Sequence, residues 1–460
     1  MYWIIATGRE ILQKGFLYIN PFFNQGEIGI VVQQWLWCVM VAFMYDFIGN
    51  IGCILINATT ILMFLFFSIK LCRNVDPLCT LFVAVLGVTF INNLRPQLVT
   101  ADLLLIQCII VEKYTDTGRR RFLFLLPILT LIEINIHGSM WVMHFIMLLP
   151  YIFAPIYEKI NGKLGIQYRF KHLKTVKPTD VLFTIPLMLI SLLINPYGFK
   201  GITYLFDSIG CLDNFGISEC QKTTFLCITG VSIVLCSVLL FYLFIKKDVD
   251  ICSFTMVGGL LFMAMTAYRN GYFLPIAFIF LLKCISPENF SLAKKEQFFW
   301  GLLLIAVTTE LVIASYSETL NDIFCAKRDD VLQPYSAVKY LDDNSVSKTD
   351  SRIFTNFNSG GYLEFSGYNT FFDQRPEIFT EKISGFDIAS DYLSLTNIKY
   401  GRNEEAFDVF FTKYDFDYVI VSAGDALQIY LSMCDNGHEV KDIDGNTYFL
   451  KTEVAIFFVS

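Results

Sequence analysis

The stretch Val31-Val32-Gln33-Gln34-Trp35-Leu36-Trp37-Cys38-Val39-Met40-Val41-Ala42-Phe43-Met44-Tyr45-Asp46-Phe47-Ile48 decides the fold, because every later loop changes sides if it crosses a membrane. Ten further apolar stretches follow, at 51–70, 76–92, 97–113, 121–134, 139–157, 179–195, 223–245, 251–267, 272–285 and 298–316. A span needs about 20 apolar residues, or slightly fewer where helices tilt. The connections between them alternate in basic content. Lys70 and Arg73, Lys113 with Arg119 to Arg121, six Lys/Arg between 159 and 177, Lys246 and Lys247, and Lys283, Lys294 and Lys295 fall on one side. The other side carries only Arg95, Lys200, Lys222 and Arg269. Short loops rich in Lys/Arg stay cytoplasmic. A crossing at 31–48 would turn all five basic connections outward. Trp35, Trp37, Tyr45 and Asp46 instead suit a helix at headgroup level, so an interfacial helix on the outer face is predicted.

Hydrophobic residues make up 55% of the 460 and charged ones only 17%, where soluble domains carry about 25%. From residue 318 onward there are 24 acidic and 12 basic residues, so this part is acidic while the rest is slightly basic. No basic face for nucleic acid is present, and an acidic tail would be repelled by anionic lipid. The 13 cysteines show no C-x-x-C pair and no zinc-like spacing. Cys211 and Cys220 share one external loop, where they either pair or act as small hydrophobes. Residues 1–30 lack the apolar core of a cleavable signal peptide.

The expected fold is an α-helical polytopic membrane protein of about ten transmembrane helices with a C-terminal extracytoplasmic α/β domain. Its parts are an external segment with interfacial helices (1–50), a transmembrane domain (51–316) and a soluble domain (317–460). In the last, 336–341 reads as a helix, 352–356 and 369–373 as strands, 407–414 as a helix feeding a strand at 417–422, and 438–451 as a hairpin around Asp444-Gly445-Asn446.

The short polar motifs all fall on the Lys/Arg-poor side. Arg95-Pro96-Gln97 and Tyr268-Arg269-Asn270-Gly271 each put a guanidinium at a helix end. Such an arginine either snorkels as an anchor or clamps phosphate with its fork of donors. Glu133 and His137 lie one turn apart and share a face, as a catalytic pair or as a satisfied packing pair; Asn135 stands between them and Gly138 follows. Asp102 shares the Arg95 face by helical spacing and reads as its counter-ion. Asn195-Pro196-Tyr197-Gly198 mainly stops a helix. The loop 199–222 holds Asp207, Asp213 and Glu219, each a base or a solvated charge. Gly360-Gly361-Tyr362 and Asp373-Gln374-Arg375 either cap a cavity or hold the C-terminal domain together.

Taken with Trp3, Ala6-Thr7-Gly8-Arg9 and Gln34-Trp35-Leu36, these motifs resemble a bacterial branch of the GT-C glycosyltransferases, similar to protein O-mannosyltransferases and aminoarabinose transferases. The likeness runs over essentially the whole chain, through short motifs. It implies transfer of a sugar from a polyprenyl-phosphate donor to an envelope glycan or protein acceptor, on the external face of the cytoplasmic membrane. Arg95, Gln97, His137 and Arg269 would then bind the lipid phosphate, Glu133 and His137 would serve catalysis, and Asn135, Asn195 and Tyr197 would contact substrate. A divalent metal is implied by the resemblance only; no residues here spell out a metal site, and no other cofactor is expected. Two positions depart from the family pattern. The expected first helix with its acid is absent, so that Ile4 stands where His is expected, and Gln34 stands where an acid often precedes Trp-Leu. Truncation by one span is the favoured account, against a rebuilt site or a catalytically inactive relative. A transporter or scaffold for envelope polysaccharide export is the reading from another class; its usual paired Gly/Pro interruptions are missing, and the polar groups are expected at one face rather than at mid-depth.

Overall fold

Apolar runs in an apolar medium must satisfy their own backbone, which favours helices. The computed structural model of the chain describes residues 1–23, 25–88, 90, 94–164, 170, 177–209, 211, 221–246, 248–284, 334–396, 409–410, 413–414, 416–422, 439–443, 447–451 and 455–459. Their helices are α1 (Tyr2–Lys14), α2 (Trp35–Ile48), α3 (Asn50–Leu71), α4 (Pro77–Val88), α5 (Gln97–Thr117), α6 (Leu126–Ile136), α7 (Trp141–Ile146), α8 (Leu149–Leu164), α9 (Pro178–Leu192), α10 (Gly198–Ser208), α11 (Ile228–Lys246), α12 (Ile251–Thr266) and α13 (Leu274–Cys284), with shorter ones after 334. Helices run through nine of the ten apolar stretches; 298–316 lies outside the described residues. Among the described residues three helices are long and apolar enough to cross a membrane: Asn50–Leu71, Gly138–Ile160 and Ile228–Lys246. Trp35–Ile48 is apolar but has 14 residues, about 21 Å of helix against a hydrocarbon core of about 30 Å.

The chain divides into two units. One comprises Ile51–Thr203 and Gly216–Glu318, the other Met1–Asn50, Tyr204–Phe215 and Thr319–Ser460. The sequence reading keeps 1–50 and 317–460 apart; here they share a unit.

In the helical unit α5 and α13 are central, burying residues on most of their circumference. α9 and α11 are peripheral. Leu235, Val238 and Ile245 line one exposed face of α11, and Phe183 and Ile190 one of α9, a one-sided apolar exposure that suits lipid. α4 meets α13 where Gly87 leaves no room for a side chain: an added Cβ would sit 2.8 Å from Pro275 Cβ. Ion pairs gather at the Lys/Arg-rich end. Arg73 bonds Asp116 at 2.6 Å, Lys283 pairs with Glu112, and Asp180 accepts from both Arg120 and the Tyr114 hydroxyl. α5 begins at the opposite, Lys/Arg-poor end.

The other unit contains a five-stranded sheet ordered β1-β2-β5-β4-β3. β1 (Ile353–Thr355), β2 (Tyr418–Ser422) and β5 (Ala455–Val459) run parallel, with Phe354 opposite Val419 and Ile420 opposite Phe457. β3 (Glu439–Ile443) and β4 (Thr447–Lys451) form the expected hairpin, its turn at 444–446 lying outside the described residues, and β4 continues antiparallel to β5. The strand expected at 369–373 is not formed. Its amides are split among three partners, Asn369 N–H to Lys348 O, Thr370 N–H to Phe22 O and Phe371 N–H to Ile353 O, so no ladder can develop. Of the helix expected at 407–414, only four residues are described.

The N-terminal residues pack into this unit through α1, a helix whose bounds the expectation of interfacial helices in 1–50 did not specify. An added Cβ at Gly8 would lie 2.1 Å from Cys38 O, so α1 and α2 touch backbone to backbone. Arg9 clasps Asp46 with its Nε and Nη2 at 2.9 and 2.6 Å and lies over Phe365. The helix Gly360–Phe365 meets α1 where Gly361 faces Trp3.

Candidate functional site

α6 ends at Ile136, with the His137 backbone N–H bonded to Glu133 O. This places Glu133 and His137 on one face, Nδ1 to Oε1 at 3.9 Å. A third group stands between them. The Thr100 hydroxyl, near the start of α5, lies 2.6 Å from Glu133 Oε1 and 2.7 Å from His137 Nδ1. The second Glu133 oxygen faces His144 Nε2 at 3.4 Å. Gln107 fixes that ring: its amide nitrogen donates to His144 O at 2.8 Å, leaving its Oε1 to accept from Nδ1 at 2.6 Å. Thr100, Gln107, Glu133 and His144 are fully buried; His137 alone keeps an accessible edge, at 11% of its side chain. Thr100 and Gln107 are seven residues apart on α5, so the network reaches about 10 Å into the bundle. The polar groups therefore do not stop at one face, as the sequence reading expected.

Arg95 and Arg269 are exposed, and both lie within electrostatic range of the His137 ring. Leu94, beside Arg95, is buried with φ at +52°, a left-handed conformation that costs a bulky residue on the order of 1–3 kcal/mol and recurs at ligand sites. Segment 268–273 is anchored by Tyr268 N–H to Gln221 O, and the Tyr272 hydroxyl donates to Met140 Sδ. The structure thus brings Arg95, Arg269, Glu133 and His137 to one region.

Other candidates do different work. Asn135 Nδ2 donates to Leu131 O and Ile194 O, tying α6 to the chain after α9. Asn195 folds back on its own turn, donating to Leu192 O and Gly198 O and accepting from the Tyr197 N–H, so it stops the helix and holds the Tyr197 backbone. Gln97 is half-buried, with its Oε1 unbonded. Asp102 is not a counter-ion in contact with Arg95: it is buried and neither carboxyl oxygen has a hydrogen-bond partner. The 199–222 loop opens with α10, which contains Asp207; Asp213, Glu219 and Cys220 lie outside the described residues, and Cys211 is a free thiol.

The second unit holds a buried charge cluster that explains the Asp373-Gln374-Arg375 motif. Arg375 Nη2 bonds Asp373 Oδ2 at 2.6 Å and Glu364 Oε1 at 2.8 Å, Nη1 reaches Thr7 Oγ1 at 3.3 Å, and Trp3 and Phe22 cover the guanidinium. Burial, reinforced by the Asp373 carboxylate, pushes Glu364 well above the ordinary value for its type. Burial pulls Asp373 the same way, but Arg375 outweighs it and holds Asp373 below the usual carboxylate range. Among its two readings, the motif takes the structural one.

A divalent metal does not fit here. Both Glu133 oxygens are turned to Thr100 and His144, and among the described residues no group of three His, Cys, Asp or Glu is placed to hold an ion. Compared with known proteins, the chain matches no family model and no curated protein.

Proposed function

We propose that the protein is a membrane glycosyltransferase that moves a sugar from a polyprenyl-phosphate donor to an envelope glycan or protein acceptor, at the external face of the cytoplasmic membrane. In this reading the chain crosses ten times, with 31–48 interfacial and the C-terminal α/β domain outside. The observation that carries it is the meeting of Arg95 and Arg269 with His137 and its buried carboxylate network, at the Lys/Arg-poor end of the helical unit. Two exposed guanidinium groups suit a lipid phosphate, and a carboxylate-linked imidazole suits proton transfer from an acceptor hydroxyl. Gln97 and Tyr197 would border the sugar.

The test is transfer of labelled sugar from polyprenyl-phosphate donors by the purified protein in liposomes. Arg95→Ala and His137→Ala should each lower kcat at least about 10²-fold, the usual loss for one well-placed group. Wild-type turnover in both variants removes the reading.

One observation favours a second reading, a transporter or scaffold for polysaccharide export: the network's inner half, Gln107 and His144, lies deeper than a surface reaction requires. Flux of substrate across the liposome without covalent change would support it. An inactive GT-C relative is the reading favoured by Ile4 and Gln34, and turnover decides against it.

A further inference from the structure

We infer that Glu133 touches no substrate, and that it acts through the Thr100 hydroxyl to hold His137 as the Nδ1–H tautomer, leaving Nε2 as the base that accepts the acceptor's proton. The inference rests on the sugar-transfer reading for its chemistry, and on donor counting for its geometry.

The Thr100 hydroxyl has one proton. Glu133 Oε1 at 2.6 Å is far closer than the hydroxyl's other acceptor, Pro96 O at 3.5 Å, so the hydroxyl gives its proton to Glu133. Its lone pairs then face His137 Nδ1 at 2.7 Å, which must carry the hydrogen. The other end of Glu133 is closed by His144, whose Nδ1–H is committed to Gln107 Oε1. No Glu133 oxygen remains for an acceptor. Among the described residues His137 Nε2 has no hydrogen-bond partner, and the side chain keeps an accessible edge. Burial disfavours a charge on this ring and, with Arg269 and Arg95 nearby, outweighs the pull of Glu133, keeping the resting ring neutral.

In the transfer step the acceptor O–H bond breaks and its proton moves to His137 Nε2. The acceptor oxygen forms the new bond to the anomeric carbon. The anomeric carbon–oxygen bond to the phosphate breaks, and its electron pair leaves with the polyprenyl phosphate, held by Arg95 and Arg269. Glu133 and Thr100 are positioning residues that stabilise the imidazolium as it forms.

The experiment uses the full chain in nanodiscs with ¹⁵N-labelled histidine, assigning His137 by the signal absent from His137→Gln. Two-bond ¹H–¹⁵N spectra should show Nδ1 protonated and Nε2 bare. Thr100→Val, which keeps the shape and removes the hydroxyl, should mix the two tautomers and lower kcat for polyprenyl-phosphate sugar about 10²-fold at unchanged donor KM. Thr100→Ser should restore both. An Nε2–H tautomer in the wild type overturns the inference, as does a Thr100→Val protein with wild-type tautomer and kcat. The expected tautomer in a protein that transfers no sugar overturns the role as base and the glycosyltransferase reading together, while the Thr100 relay stands.

Discussion

Arg375 ties its unit together, because the carboxyl groups of Asp373 and Glu364 and the α1 hydroxyl of Thr7 converge on it in a buried site. Removing one partner of a buried ion pair strands the other, at a cost of about 3–5 kcal/mol. Arg375→Met should therefore lower the stability of this unit by that order, read as a fall in thermal midpoint. The two acids respond to pH in opposite senses. Asp373, held low, contributes stability above its unfolded value of about 3.9 that is lost as pH falls through its folded value. Glu364, held high by burial and Asp373, contributes stability below about 4.3 that is lost as pH rises toward its folded value. Glu364→Gln, permanently neutral, should remove the decline on the alkaline side; an unchanged pH profile of unfolding contradicts the assignment. At this scale the sequence is half legible. Glu133 and His137 announce themselves by a spacing of four on one helix, but Thr100, Gln107 and His144 join them across helices, which no local spacing reveals.

Among the elements, α1 and α2 are held at a separation that only glycine permits. A methyl at Gly8 would meet the Cys38 carbonyl, and backbone cannot move aside as a side chain can. Gly8→Ala should cost about 1–3 kcal/mol and loosen α1, measured as faster proteolysis of the N-terminal segment; wild-type resistance would contradict the packing. The bounds of α1 escape the sequence reading because Arg9, Glu10 and Lys14 interrupt its apolar pattern, and its buried face of Ile4, Ile5, Gly8 and Ile11 is defined only by what covers it. The long apolar helices and the β3–β4 hairpin are legible because their signals are local. β5 is missed because it is a short apolar run whose partner β2 lies far back in the sequence, and 369–373 is overread because its residues bond to three separate places in the chain.

For the whole molecule, the asymmetry of charge is the organising fact. The ion pairs Arg73–Asp116, Lys283–Glu112 and Arg120–Asp180 mark one end of the helical unit, while Thr100, Glu133 and His137 mark the other. A membrane-impermeant amine reagent should leave Lys159, Lys163 and Lys171 unmodified in intact cells and label them in inverted vesicles; labelling from outside would reverse the topology. The central claim is that Arg95 and Arg269 meet a phosphate carried on a lipid. Retention of labelled polyprenyl phosphate by the protein in nanodiscs tests it most directly. The wild type should hold the lipid, and the Arg95→Ala/Arg269→Ala double variant should bind at least about 10²-fold more weakly, as expected for two lost charged hydrogen bonds. Equal retention by the two proteins would contradict it.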